Sequence, residues 1–132
     1  MSVVVDASVC VAALVDGGPE GRWAETLFAE QPLSAPQLIL VESTNVLRRL
    51  AAAGRLSDLD ASTAHRDLLS LPVELYPFEP FAERVWSLRH NVSAYDACYV
   101  ALAEALDVPL ATLDRKLSSA AGPLCKFLST DA

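Results

Sequence analysis

The chain alternates short, wholly apolar runs with longer stretches in which apolar residues recur every three or four positions. Ser2-Val3-Val4-Val5 is β-branched and too short for a helix, which predicts a central parallel strand covered on both faces. After Asp6-Ala7-Ser8, the residues Val9, Val11, Ala12, Ala13, Leu14 and Val15 predict a helix closed at Asp16-Gly17-Gly18-Pro19. Glu20 to Glu30 predicts an amphipathic helix with Trp23, Leu27 and Phe28 turned inward. Gln31-Pro32 breaks it, Leu33-Ser34-Ala35 predicts a strand, and Pro36 is expected in the first turn of a helix that ends at Ala53-Gly54.

The second half repeats the alternation. Ser57 to Leu71 predicts a helix capped by Ser57, Val73 to Tyr76 a strand closed by Pro77, and Phe81 to Arg89 a helix buried through Phe81, Val85 and Leu88. Ser93 caps a helix in which Ala97, Cys98, Ala101, Leu102, Ala105 and Leu106 recur until Asp107-Val108-Pro109. Leu110-Ala111-Thr112 fits a buried strand, Lys116 to Ser119 a helical turn, and Leu124 to Leu128 a last strand. Strands alternating with helices imply an α/β, three-layer α/β/α architecture around a central, mainly parallel sheet. At 132 residues, residues 1–132 form a single domain.

The polar positions carry the chemistry. Right-handed crossovers put every strand-to-helix junction on one edge of such a sheet, the edge where open α/β folds bind ligands. Asp6 and Asp114 stand at two such junctions, while Glu42 and Asp96 lie early in helices that leave the same edge. Taken singly, Asp6, Asp96 and Asp114 also fit helix caps. Glu42 has no such reading: Leu38, Glu42, Val46 and Leu50 fall four apart, so the carboxylate shares an apolar stripe, where it must pair, neutralise or bind a cation. Asn45, one turn on, is a candidate support for it. Carboxylates converging in low dielectric repel, and hard divalent cations such as Mg²⁺ or Mn²⁺ relieve the repulsion, so metal-assisted attack on a phosphodiester is the expected chemistry.

Composition narrows the rest. Seventeen acids against ten Lys and Arg give a net charge of -7, which excludes nucleic-acid binding by a broad basic surface. Arg48, Arg49, Arg115 and Lys116 are the candidates for a narrow basic rim. Hydrophobic content of 52% is high for a chain with 20% charged residues and predicts a covered face, in an oligomer or complex. No run approaches a membrane span and Asp6 interrupts any signal peptide, so a cytoplasmic protein is expected. Cys10, Cys98 and Cys125 are widely spaced without metal-ligand patterns and read as core residues. His65 and His90 read as surface residues. Gly17-Gly18-Pro19-Glu20-Gly21 lacks the GK[ST] of a phosphate loop.

Four segments in this order, Val-Val-Val-Asp6-Ala-Ser8, Pro36 through Glu42-Ser-Thr-Asn45-Val-Leu, Ala94-Tyr95-Asp96-Ala97, and Ala111-Thr112-Leu113-Asp114-Arg115, resemble the PIN-domain ribonucleases. More narrowly the chain is similar to the VapC-type toxins of bacterial toxin–antitoxin pairs, from Ser2 to about Leu128. The resemblance implies that Asp6, Glu42, Asp96 and Asp114 hold a catalytic Mg²⁺ or Mn²⁺, with Ser8, Asn45 and Thr112 supporting them. It also implies an RNA substrate and a cognate antitoxin, and the apolar excess is expected to mark a homodimer face and a groove for that antitoxin. Other classes fit less well. A haloacid-dehalogenase-type phosphatase needs a second Asp where this chain has Ser8, and a phosphoacceptor receiver needs an aspartate after the third strand, where Tyr76-Pro77 stands. An inactive PIN-like binding module would not need all four acids.

Overall fold

The computed structural model describes residues 2–130; Met1, Asp131 and Ala132, which the single-domain reading includes, lie outside the described residues. Val3–Val5 forms β1, followed by α1 (Ala7–Val15), α2 (Pro19–Glu30), β2 (Leu33–Pro36), α3 (Leu38–Ala52), α4 (Asp58–Leu68) and β3 (Val73–Tyr76). A 3-10 turn (Glu79–Phe81) leads into α5 (Ala82–Ser87), then α6 (Ala94–Leu106), β4 (Leu110–Ala111), α7 (Arg115–Ser118) and β5 (Phe127–Leu128). All pairings are parallel, in the order β3-β2-β1-β4-β5. The chain therefore winds outward from β1 to β3 and returns on the other side of β1, which makes the β1/β4 junction the switch point where the carboxyl edge opens.

Burial follows the apolar pattern. Val3, Val4 and Val5 are fully buried, as are Leu110 and Ala111 beside them. On one face α1 packs against α2, α3 and α4; on the other α6 lies over β1, β2 and β4 with α5 against it. The two faces give the three layers expected. At the α1–α2 turn the backbones approach so closely that a Cβ on Gly21 would sit 1.7 Å from the Asp16 carbonyl oxygen, so only glycine fits. Arg84 on α5 forks onto Glu104 of α6 at 2.7 and 3.0 Å, and Glu104 also accepts the Leu124 N–H, which fastens the last segment to α6.

Several boundaries differ from expectation: α4 stops at Leu68, short of the expected Leu71, and β4 ends at Ala111, one residue before Thr112. Pro36 ends β2 instead of starting α3, paired in register with Tyr76. A strand end tolerates a residue without an N–H, and the next amide, Gln37 N–H, donates to the Tyr76 carbonyl at 2.9 Å. The helix expected over Phe81 to Arg89 is shorter: Phe81 closes the 3-10 turn, and α5 stops at Ser87 because Leu88 leaves helical geometry (φ -90°, ψ 2°). Its inward residues are nevertheless Val85 and Leu88, both buried. The last strand keeps only Phe127–Leu128, the stretch level with β4. The cysteines are free, with Cys10 buried. Among the described residues no helix is long and apolar enough to cross a membrane.

Candidate active site

Asp6 ends β1 and begins α1, so it both caps a helix and faces the open edge of the sheet. Its Oδ1 accepts the Val9 N–H (3.2 Å) and the Ser8 hydroxyl (2.5 Å), and its Oδ2 accepts the Thr112 hydroxyl (2.5 Å). The carboxylate is 6% exposed, and without these donors its burial would be prohibitive. Ser8 and Thr112 pass the connection on, since the Ser8 oxygen accepts the Leu113 N–H and the Thr112 oxygen accepts the Asp114 N–H, each at 3.0 Å. Two hydroxyls thus tie the segment after β1 to the segment after β4. Ser8 and Thr112, expected beside the acids, both donate to Asp6. Burial pushes the Asp6 carboxyl above its ordinary pKa; the Ser8, Thr112 and Val9 donors oppose that, and the Asp114 charge adds to it.

Asp114 is exposed and caps α7, with Oδ1 accepting the Lys116 N–H (2.9 Å) and the Leu117 N–H (3.4 Å). Capping and site readings coexist, because the cap bonds use one oxygen and leave Oδ2 free of them. On α6 the cap is Ser93, whose oxygen accepts the Asp96 N–H at 3.1 Å. The half-buried Asp96 carboxyl is pushed above its ordinary pKa by burial first and then by the charges of Asp114, Glu42 and Asp6. All four acids therefore share one electrostatic neighbourhood. Among the described residues no Lys or Arg forms an ion pair with any of them, and no three His, Cys, Asp or Glu side chains close into a ready-made metal cage.

Glu42 lies in the second turn of α3. The row that reaches the core is Ile39, Ser43 and Leu47, while Leu38, Glu42, Val46 and Leu50 border it, half-buried. The partner of the carboxylate is one the sequence reading missed: Tyr99, on α6, donates its hydroxyl to Glu42 Oε1 at 2.5 Å. Tyr99 is 1% exposed, and its phenol is pushed far up by burial, then by the Glu42 hydrogen bond and charge, so it stays a donor. The available signal was its place three residues after Asp96, hence on nearly the same helix face. Asn45 is exposed and accepts from Arg48 Nε at 2.9 Å instead of bonding Glu42. The basic rim divides likewise: Arg115 and Lys116 follow Asp114 directly, whereas Arg48 lines a separate groove with Thr44, Ala61 and His65 between α3 and α4. Arg49, exposed, lies in the last turn of α3.

Beside the acids runs an apolar groove of about 340 Å³ lined by Leu38, Tyr76, Phe78, Phe81, Tyr95 and Cys98. A second, of about 310 Å³, shares Phe78 and Ala94 with it and extends to Trp86 and Arg89. Phe78, Trp86 and Tyr95 are 52%, 68% and 61% exposed, and the Arg89 guanidinium lies 4.6 Å over the Trp86 ring.

Comparison with known proteins places the chain among relatives. Residues 3–123 match the PIN domain family. Ribonuclease VapC9 of Mycobacterium tuberculosis is 43% identical over 123 residues, 93% of this chain and 94% of that protein. Ribonuclease VapC1 of the same organism is 42% identical over 125 residues, 94% of each. A crystallised protein from Pyrobaculum aerophilum superposes with a TM-score of 0.69 at 27% identity, covering 90% of this chain and 78% of its own. VapBC2 from Rickettsia felis, crystallised on a DNA fragment from its promoter, shares the fold at a TM-score of 0.66 and 14% identity, with 98% of each chain covered.

The electrostatics predict an inverted pH response of the metal-free protein. Folded Asp6 and Asp96 keep their protons to a higher pH than the unfolded chain does. Their contribution to stability is therefore complete below the ordinary carboxylate pKa of about 4 and is lost as pH rises through the raised folded values. Asp96→Asn, which removes the charge and keeps the shape, should raise the Tm in chelator at neutral pH by a few degrees and flatten that fall. Melting curves from pH 4 to 7 measure it; coincident curves for the two proteins would contradict it.

Proposed function

The chain belongs to the PIN-domain family, among its VapC ribonucleases, and from that premise we propose that it is an Mg²⁺- or Mn²⁺-dependent endoribonuclease acting in the cytoplasm as the toxin of a toxin–antitoxin pair. The observation that carries the reading is the convergence of Asp6, Glu42, Asp96 and Asp114 from four separate segments, with no cationic side chain paired to them among the described residues. An all-carboxylate donor set without Cys or His suits a hard divalent cation. When bound, such an ion lowers the pKa of the attacking water and draws charge from the scissile phosphate.

The residues themselves divide the work. Asp6, Glu42 and Asp96 would hold the ion, with Asp114 as a fourth acid at the exposed rim. Ser8 and Thr112 keep Asp6 fixed through the hydrogen bonds described, and the same two hydroxyls hold the loop that carries Asp114. Arg115 and Lys116 are the cations nearest in sequence to the acids and would meet the RNA backbone; Arg48 and Arg49 would serve only an RNA that continues along α3. A partner antitoxin could silence the site by setting an Arg or Lys against Glu42 and Asp96, where its charge would compete with the metal and its bulk would cover the RNA path. The Rickettsia felis complex supports a partner of this kind, as a fold-level precedent.

The apolar face of Phe78, Trp86 and Tyr95 supports a second copy of the chain as its occupant. A two-fold axis brings one patch onto itself, and Tyr95 adjoins Asp96, so such a dimer sets two sites along one surface. Trp86→Glu should convert the dimer to monomer in sedimentation; a variant that sediments like the wild type moves the interface elsewhere. The catalytic reading predicts that unstructured RNA is cut in Mg²⁺ or Mn²⁺ and left intact in chelator, and that Asp96→Asn loses at least about 100-fold in rate, more than loss of an outer partner would cost. Cleavage that persists in chelator, or in Asp96→Asn at the original rate, would refute it.

A further inference from the structure

Glu42 differs from the other three acids in how it is held. Asp6 and Asp114 are short side chains fixed by cap bonds to backbone amides, and Asp96 sits on the first turn of α6. Glu42 has the longest side chain of the four and lies in the interior of a helix, where backbone amides are already engaged. Its Oε1 receives the Tyr99 hydroxyl across 57 positions of sequence, from a ring that is itself fully buried among core residues. Asp96 and Tyr99 are one turn apart on α6, so a single rigid helix presents one acid to the site and grips another. We propose that Tyr99 is a positioning residue for the reaction: its hydroxyl holds Glu42 by Oε1 and leaves Oε2 for the cation. The inference rests on the ribonuclease reading of the site and adds to it the element that pre-sets Glu42.

A purely structural role would also give the phenol an acceptor, so the test must separate the two. Tyr99→Phe removes one oxygen and keeps the ring packed. Mn²⁺ affinity, measured by calorimetric titration, should fall about tenfold, as expected for loss of a group that orients a ligand. Melting in chelator should stay near the wild-type temperature, and kcat should fall with little change in KM for RNA. In a Glu42→Gln background the same substitution should cost no further Mn²⁺ affinity, because the two act through one contact. A Tyr99→Phe protein that binds Mn²⁺ like the wild type, or that loses as much affinity in the Glu42→Gln background, overturns the proposal. Wild-type protein that binds no Mn²⁺ overturns the site reading along with it, whereas wild-type binding beside an unaffected Tyr99→Phe removes the tyrosine alone. A measurement without substitution keeps the test open to either answer: in protein carrying ¹³C-labelled tyrosine, the protected Tyr99 hydroxyl proton should shift when Mg²⁺ is added. No shift at saturating Mg²⁺ counts against it.

Discussion

Like charges gathered at one sheet edge set the terms for everything else in this protein. Burial pushes the Asp6 and Asp96 carboxyls toward their protonated forms, and neighbouring carboxylates add to it: Asp114 at Asp6, and Asp114, Glu42 and Asp6 at Asp96. A fold optimised for the metal-free state would disperse them. This one holds them in place with donors that carry no charge: hydroxyls of Ser8, Thr112 and Tyr99, and the amides of Val9, Lys116 and Leu117. Neutral donors stabilise the carboxylates without cancelling their charge, so the field that would attract a cation survives. A cationic partner paired with the carboxylates would instead cancel that field.

The scaffold explains why four distant segments can share that edge. Parallel strands with crossover helices point every strand's carboxyl end the same way, and the switch between β1 and β4 opens a crevice there. Asp6 follows β1, Asp114 follows β4, and the first two turns of α3 and α6 bring Glu42 and Asp96. The Ser8–Leu113 and Thr112–Asp6 bonds then lock the two loops of the switch point together, so the same contacts that satisfy buried groups fix the geometry of the site.

Much of this could be read from the chain, and for physical reasons. Strands such as Val3–Val5 announce themselves by continuous apolar character, and acids at strand ends and early helical turns are placed by topology alone. What escaped depends on contacts that period and spacing do not encode. Pro36 joined β2 because its neighbour's amide found Tyr76, a pairing between strands 40 positions apart. Tyr99 falls within the apolar pattern of α6, and only the tertiary fold, which brings α3 and α6 to the same edge of the sheet, reveals that its hydroxyl meets Glu42. Asn45 and Arg48 looked available to the site from their spacing, yet they satisfy each other on the exposed side of α3.

The proposed function turns on whether Asp6, Glu42, Asp96 and Asp114 bind one cation together. The most direct measurement is a crystal of the protein equilibrated with Mn²⁺ and analysed by anomalous diffraction. A shared site gives an anomalous peak at the β1/β4 edge with oxygen ligands from Asp6, Glu42 and Asp96, absent in crystals of Asp96→Asn. Mn²⁺ found only at other surfaces, or no bound Mn²⁺ at concentrations that support RNA cleavage, would contradict it.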